Sequence, residues 1–266
     1  MLGWRYWWHY RGLIWLMLKR EIQSEYRAMI LGGLWPILSP LFDLVIYSFV
    51  FGTLLKGSWP PPAGTMITLP FGLILLAGLV PFNMFSEVFA KAPLEILQKP
   101  SYVKKIVFPL EILPVVRVGV AWFHGSVGLL LVVGATWWVY GSLLWTWLLL
   151  PLALLPLFLL SLGFAWALAS LGVYLRDLVN MVQVVLRLWF FATPIVYPPS
   201  LIPEHLTFVI RFNPLAFIVD STRRVLLWGL MPQWKIWWLW VGLTGIFCWL
   251  SLIWFHYAKR GFADVL

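Results

Sequence analysis

Residues 112–174 carry the stretch that decides the fold: ILPVVRVGVAWFHGSVGLLLVVGATWWVY over 112–140, GSL over 141–143 and LWTWLLLPLALLPLFLLSLGFAWALASLGVY over 144–174. A hydrocarbon core about 30 Å thick needs ~20 helical residues to cross it, and both long runs exceed that length. Gly141 and Ser142 separate the two runs. The stretch therefore predicts two membrane-spanning helices joined by a tight hairpin on the outer side.

The same criterion, applied outward along the chain, predicts six membrane spans at residues 31–55, 66–90, 112–140, 144–174, 178–197 and 234–257. Composition supports this interpretation, because 62% of the 266 residues are hydrophobic and only 11% are charged. A soluble domain carries about 25% charged residues. The excess apolar surface has to face membrane lipid, so we predict an all-α integral membrane protein with a single domain over residues 1–266.

The distribution of basic residues predicts which side of the membrane each loop faces. Twelve of the nineteen Lys and Arg residues fall on the predicted inner segments and five on the outer ones, while Arg117 and Arg187 lie within spans. Cytoplasmic loops of membrane proteins are enriched in these residues, so both termini are predicted to be cytoplasmic. No basic run or basic face accompanies the net charge of +9, and we expect no nucleic-acid partner.

Residues 1–29 are predicted to form an amphipathic helix in the inner membrane interface, not a span. At 100° per residue an aromatic and aliphatic stripe runs along this segment, with tryptophans at the depth of the headgroups; its members are Trp4, Trp8, Trp15, Leu18, Ile22 and Tyr26. Glu21 and Glu25 lie one helical turn apart beside Arg20 and Arg27. We expect these four residues to form ion pairs on the surface of the helix.

Residues 198–233 are predicted to form two short outer helices before the last span, near 204–212 and 215–228. Prolines and Gly229 interrupt the segment, and its apolar residues are too few to cross a membrane. Asn213 can cap the second helix, with Pro214 at its first position. We expect helices that are re-entrant or lie in the interface, buried in protein where they dip into the membrane.

No sequence motif indicates catalysis or metal binding. The chain has no G-x-x-x-x-G-K-[ST] phosphate loop, no G-x-S-x-G elbow and no H-E-x-x-H pair, and its four histidines are scattered. The lone Cys248 cannot form a disulfide within the chain. We therefore expect a transporter subunit and not an enzyme, with no catalytic residue, no metal site and no cofactor in this chain.

Several short strings, in their order and spacing, resemble one known family. They are LKREIQSEYR (18–27), LGGLWPILSPL (31–41), PLEILQKPSYVKKIVFP (93–109), YLRDL (174–178), ATPIVYP (192–198), NPL (213–215) and GFAD (261–264). Together they resemble the permease subunit of ABC type-2 exporters, in the polysaccharide branch that includes O-antigen and teichoic-acid permeases (Wzm/TagG-like). The resemblance covers nearly the whole chain.

The resemblance implies a homodimeric pore in the bacterial inner membrane, which exports a polyprenyl-linked glycan from the cytoplasm. It also implies two copies of a separate ATPase subunit that binds ATP and Mg, in agreement with the missing phosphate loop. Residues 91–111 then resemble a cytoplasmic coupling segment, and 198–233 outer gate helices. The implied ATPase contacts are Glu95, Gln98, Lys99, Tyr102, Arg176 and Asp177. The alternatives are a solvated loop at 93–102 and, for Arg176 and Asp177, a local pair that anchors a helix end.

The aromatic content suggests a lining for sugars, whose C–H faces stack on rings. Candidate lining residues in the first two spans are Tyr47, Phe51, Phe82, Phe85 and Phe89. The alternative is that these rings face lipid or pack internally.

Charges within spans are expensive and usually functional; the predicted spans contain Asp43, Glu87, Arg117 and Arg187. Glu87 and Arg117 lie at similar depth near the inner ends of consecutive spans, so we expect an ion pair that is either an inner gate or a static structural pair. On the outer helices, Arg223 and Arg224 are expected to meet anionic sugar or lipid phosphate, or to anchor to headgroups.

Three other functions compete with glycan export. The same fold could carry teichoic acid, capsule, a lipid or a drug, and no single residue excludes this. An ion-coupled secondary transporter would normally show inverted repeats, which the sequence lacks. A membrane-embedded glycosyl- or acyltransferase would need the acid/base or metal cluster that is missing.

Overall fold

A computed structural model describes residues 4–27, 32–54, 59–62, 69–104 and 108–265. This part of the chain is helical and contains no β-strand. Its α-helices are α1 Trp4–Arg27, α2 Trp35–Tyr47, α3 Phe71–Lys91, α4 Pro100–Lys104, α5 Ile112–Tyr140, α6 Leu150–Ala153, α7 Leu155–Tyr174, α8 Leu178–Ala192, α9 Thr207–Arg211, α10 Pro214–Leu227, α11 Trp234–Ala258 and α12 Phe262–Val265. Short 3₁₀ turns link several of them, and a π-helical segment, Ser48–Leu54, continues α2.

Five helical stretches in the described part are long and apolar enough to cross a membrane: Gly32–Leu54, Phe71–Leu94, Ile112–Tyr140, Trp145–Tyr174 and Trp234–Val265. They correspond to five of the six predicted spans, and the prediction of an all-helical chain with several membrane spans is confirmed. The remaining predicted span, 178–197, contains the 15-residue helix α8, and the residues after Ala192 are irregular. Parts of the predicted interface helix, spans and coupling segment lie outside the described residues, at 1–3, 28–31, 55, 66–68 and 105–107.

Helix α3 forms the centre of the bundle. It packs against α2, α5, α7, α8 and α10, while α11 packs along α7. Four rings fill the space between α3, α7 and α8: Phe85, Phe89, Phe164 and Trp189, with all centroid distances between 5.0 and 5.8 Å. Aromatic side chains bury large areas and prefer such tilted and edge-on contacts, so this cluster fixes the relative position of the three helices.

Helix α1 lies against α5, and its packed face coincides only in part with the predicted aromatic stripe. The Trp7 ring centroid lies 5.9 Å from that of Trp166, and Leu18 lies over Gly119 of α5. Trp8 and Trp15 belong to the predicted stripe but are 56% and 67% exposed. The helix therefore has a face packed on protein, and the exposed tryptophans lie beside that face.

The connection between α8 and α11 packs on the bundle through α10. Ten of its fourteen residues are buried, and the helix lies along α3. The Asn213 side chain accepts a hydrogen bond from the Leu215 backbone amide at 3.0 Å, so the predicted cap of α10 is confirmed.

Candidate functional site

Eight ionisable side chains meet where α1, α3 and α5 come together near the predicted inner side. We refer to them as the inner charge network: Glu21 and Glu25 of α1, Glu87 and Lys91 of α3, Glu95 and Lys99 of the connection that follows α3, and Arg117 and His124 of α5. In each of the three helices the contributing residues are four or seven apart, a spacing that places both on one helix face.

Arg117 is at the centre of the inner charge network. Its Nε donates to Glu95 at 3.0 Å, its Nη1 to Glu25 at 3.1 Å and its Nη2 to Glu21 at 2.8 Å. The Arg117 side chain is only 8% exposed, and that of Glu95 only 2%. A buried charge is tolerated only when it is paired and hydrogen-bonded. Three carboxylates on two separate elements supply those partners, so Arg117 joins α1 to the connection after α3.

Glu87 and Arg117 do not form the direct ion pair that the sequence predicted. Glu87 instead binds Lys91 at 2.9 Å and His124 Nδ1 at 2.8 Å. Lys91 also binds Glu25 at 3.0 Å, and Glu25 binds Arg117. The two predicted residues thus belong to one network but are connected through Glu25, because α1 inserts its carboxylates between α3 and α5.

The same contacts correct the expectation for α1. Glu21 and Glu25 were expected to pair with Arg20 and Arg27 on the surface, but they lie on the packed face of the helix and bind Arg117. Leu18, which packs on α5, lies three residues before Glu21 and seven before Glu25, so all three share one helix face. An apolar residue on the face of the two glutamates was therefore the signal available in the sequence.

The connection after α3 buries one of its predicted ATPase contacts and exposes others. Glu95 is 2% exposed and is bound to Lys99 at 2.5 Å and to Arg117, which corrects the expectation that it contacts a partner protein. Its carboxylate acts inside the chain as the counter-charge of Arg117. Gln98 is exposed, and Lys99 and Tyr102 are half-buried. The contacts of these three residues with an ATPase stay a prediction.

The second predicted contact, Arg176 and Asp177, is exposed at the turn between α7 and α8. The connection after α3 packs against α7 through Gly172, near the same end of that helix. A Cβ atom on Gly172 would lie 2.1 Å from the Pro93 carbonyl oxygen, so only glycine allows this approach. The two segments that the sequence predicted as partner contacts are therefore neighbours on one side of the molecule.

A second group of polar residues ties the chain ends to the start of α5. The Tyr6 hydroxyl donates to Glu111 at 2.5 Å, and Lys259 donates to the other Glu111 oxygen at 3.1 Å. Burial, together with the hydrogen bond to Glu111, raises the pKa of Tyr6. Burial alone would raise the pKa of Glu111 as well. The hydrogen bonds that Glu111 accepts from Tyr6, the backbone and Lys259 have the larger effect and hold the pKa of Glu111 below its usual range.

Glu25, Glu87 and His124 bring potential metal ligands within 4.8 Å of one another. The Lys91 ammonium group binds both carboxylates, at 3.0 and 2.9 Å. It supplies the positive charge that a metal ion would bring, so we assign no metal to this group.

Three of the five predicted channel residues lie in the core of the chain. Phe82, Phe85 and Phe89 are no more than 5% exposed. Phe85 and Phe89 belong to the four-ring cluster. The ring centroids of Phe82 and Phe190 lie 5.3 Å apart. This corrects the expectation that the three rings line a channel, because α7 and α8 cover that face of α3. Tyr47 and Phe51 are half-buried, and their ring centroids lie 6.0 Å apart. Their role in lining a channel stays a prediction.

Arg223 is also internal, which corrects the expectation that it meets a sugar or a headgroup. It donates to the carbonyl oxygens of Ile74, Pro194 and Ile195 at 3.0, 2.7 and 2.8 Å. Its guanidinium lies 4.3 Å from the Trp59 ring centroid. Because the two carbonyls after α8 lack helical partners, they accept the donors of this arginine.

The room for this arginine comes from Gly78 of α3, where a Cβ atom would lie 2.4 Å from the Arg223 Nη2 atom. The neighbouring Arg224 is half-buried and donates to the Met231 carbonyl at 3.1 Å. A contact between Arg224 and an anion stays a prediction.

One polar stripe on α8 is uncovered. Asn180, Gln183 and Arg187 are three and four residues apart, share one face and are exposed. None of their side chains has a hydrogen-bond or ion-pair partner among the residues that the structure describes. The opposite face of α8 is buried through Val182 and Leu186. The sequence had indicated only Arg187, as a charge within a span.

The profile of the ABC-2 type transporter family matches residues 12–227. The chain belongs to this family. The match to this ABC-2 transporter family includes the inner charge network, α8 and all of α10.

This ABC-2 family member has relatives whose names concern polysaccharides. It is 30% identical to the O-antigen export system permease protein RfbA of Myxococcus xanthus, over 81% of this chain and 80% of the relative. It is 27% identical to a protein of the same name from Klebsiella pneumoniae, over 96% and 95% of the two chains. It is 24% identical to the polysialic acid transport protein KpsM of Escherichia coli, over 82% of each chain.

Proposed function

We propose that this chain is the membrane-spanning permease subunit of an ATP-driven exporter that moves a lipid-linked, O-antigen-type polysaccharide out of the cytoplasm. The named relatives support the substrate class, since O-antigen permeases reach 30% and 27% identity and the polysialic acid protein 24%. The chain is a transporter subunit and not an enzyme, and a separate subunit binds ATP and Mg.

In this proposal the chain crosses the inner membrane six times, with both termini in the cytoplasm. Helix α8 has 15 residues, which span about 22 Å at 1.5 Å per residue. That is less than a hydrocarbon core of about 30 Å. The irregular residues after Ala192 complete the sixth crossing, and Arg223 binds their carbonyl groups from within the protein. Irregular backbone at membrane depth requires such internal partners. Helices α9 and α10 then form the re-entrant outer part.

The observation that carries the proposal is the uncovered polar stripe on α8. Exposed Asn180, Gln183 and Arg187 would be costly against lipid, because a charged side chain within the bilayer needs water or a protein partner. In a dimer, α8 of a second copy faces α8 of the first. The two polar stripes then line a hydrated path between the copies. Such a path suits a hydroxyl-rich glycan, so the working unit is a homodimer.

The ATPase subunits dock on the inner side, at the neighbouring segments that expose Gln98, Arg176 and Asp177 and half-bury Lys99 and Tyr102. An ATPase outside the membrane can act on the chain only through segments that protrude. Force applied there reaches α5 and α1 through the inner charge network, because Glu95 lies in the docking segment and is bound to Arg117.

Native mass analysis of the chain, purified with its bound partners, tests the assembly. We expect two copies of this chain with two copies of an ATPase, and deletion of the gene should trap glycan inside the cell. A lone chain whose transport follows an ion gradient would instead indicate a secondary transporter.

The stripe is tested by glycan export in cells that carry Gln183→Leu or Arg187→Leu in place of the wild-type chain. Export should fall strongly while the amount of membrane-inserted protein stays unchanged. Lys235→Leu is the matched control, since it removes an exposed charge at the start of α11, away from the stripe. Equal export by all three variants would contradict the channel assignment.

A further inference from the structure

A partly open cavity with a mainly apolar lining lies apart from the α8 stripe. It has a volume of about 270 Å³ and lies between α1, α2, α3 and α5. Its polar lining comes from Ser39, Asp43, Asn83, Glu87 and His124. Drug-sized ligands occupy pockets of about 300 Å³ or more, so this cavity has room for a ligand of about one sugar ring.

Asn83 and Asp43 are unusual residues for their positions. Asn83 is the single exposed residue between Gly72 and Phe85, a run of α3 that is otherwise buried. Asp43 lies at the middle of the span Gly32–Leu54. Neither side chain forms a hydrogen bond or an ion pair within the described ranges of the chain. Unpaired polar groups at membrane depth are costly, and an ionisable one there indicates function.

The lining defines the chemistry of an occupant. The Asp43 carboxylate accepts hydrogen bonds from hydroxyl or ammonium groups, and the Asn83 amide both donates and accepts. Trp35, which also lines the cavity, adds an aromatic ring on which an apolar sugar face can stack. The unpaired Asp43 carboxylate would repel a phosphate group, whereas Glu87 is already paired with Lys91.

We propose that this cavity binds a single sugar unit, uncharged or bearing an amine, through Asp43 and Asn83. The proposal rests on the proposed function, because the sugar belongs to the exported glycan. Glu87 and His124 line the cavity and are also members of the inner charge network. An occupied cavity therefore contacts the same residues that lead to the ATPase-docking segment.

Protection of an introduced thiol tests this site in the full-length chain, held in nanodiscs of phosphatidylglycerol and phosphatidylcholine. The lone native thiol is removed with Cys248→Ala, and Ser39→Cys places a thiol in the cavity lining. Galactose, mannose, N-acetylglucosamine and glucosamine serve as probes, with inorganic phosphate and ethanolamine as probes of other chemistry. The rate of reaction with a small thiosulfonate reagent is measured. Ser142→Cys, exposed in the turn that follows α5, is the control thiol.

At least one sugar should slow labelling at position 39, by about six-fold at about five times its dissociation constant, because only the empty fraction reacts. Labelling of Ser142→Cys should not change, and Asp43→Asn or Asn83→Ala should abolish the protection. Protection by ethanolamine or by phosphate would indicate a lipid headgroup site and overturn the proposal. Absence of protection by every sugar, or protection that survives both variants, would overturn it as well.

Glycan export by cells that carry the wild-type chain separates this proposal from the proposed function. If export depends on the gene but no sugar protects the thiol, the function stands and the cavity assignment is refuted. If the glycan is exported without the gene, the proposed function itself is refuted.

Discussion

Removing the Arg117 charge should destabilise the chain far more than removing a neighbouring exposed charge. Arg117→Met leaves Glu95 buried with only Lys99 as its counter-charge. Breaking a buried ion pair by removing one partner costs about 3–5 kcal/mol, because the other charge remains buried. At roughly 2–4 °C per kcal/mol for a chain of this size, the midpoint of thermal unfolding should fall by roughly 6–20 °C.

A double variant that also changes Glu95 shows whether this loss of stability arises from the Arg117–Glu95 ion pair. Glu95→Gln combined with Arg117→Met removes the stranded charge, so the double variant should be more stable than the sum of the two single effects, by about 2–3 kcal/mol. Lys91→Met is the control within the same network, since the Lys91 side chain is 44% exposed. Such exposed pairs contribute about 1 kcal/mol or less.

The assay is thermal unfolding of the purified full-length chain in detergent, followed by size-exclusion chromatography, at one heating rate for all variants. A shift for Arg117→Met no larger than that for Lys91→Met would contradict a stabilising role of the buried Arg117–Glu95 pair. Strict additivity of Arg117→Met and Glu95→Gln would refute it too, because the two side chains would then not be coupled.

Three further predictions concern other contacts. Gly172→Ala should cost about 1–3 kcal/mol through overpacking and reduce co-purification of the ATPase subunit, whereas Gly134→Ala, with open space around it, should not. Arg223→Lys should lower stability by about 3 kcal/mol or more through lost charge-assisted bonds to carbonyls, while Arg224→Lys should change it by about 1 kcal/mol or less, both measured by thermal unfolding. Glu111→Gln should destabilise the chain at pH 7, because the lowered pKa of Glu111 gives stability that is present above the ordinary carboxyl pKa of about 4.3. The stability difference between Glu111→Gln and the wild type should shrink as the pH falls below the ordinary carboxyl pKa and through the lowered pKa of Glu111. A stability difference that stays the same in acid would contradict this prediction.

The sequence was sufficient for features that depend on local pattern. Apolar runs of sufficient length predicted six spans, and five of them correspond to long apolar helices, because span length follows from bilayer thickness. Asn213 followed by Pro214 predicted the cap of α10, because a cap is set by two or three adjacent residues.

Features that depend on which face a helix turns to its neighbours were predicted poorly. Phe85 and Arg223 carry side chains suited to a channel or an anion, yet both are internal, because covering helices come from distant parts of the chain. Glu25 and Glu21 bind Arg117, which lies 92 and 96 residues away, and no local pattern in the sequence indicates such a pairing. The position of Asn83 in a cavity was not predicted for the same reason.

The short length of α8 has a mechanical consequence. The carbonyl groups at and just beyond its end are held by the side chains of Asn213 and Arg223, not by a further helical turn. An arginine with three carbonyl partners on two segments joins α10 to α3 and to the end of α8. These contacts predict that a displacement of α10 is transmitted to α8, the helix that carries the polar stripe. We therefore expect α8 and α10 to move as one rigid unit, so that neither is displaced alone.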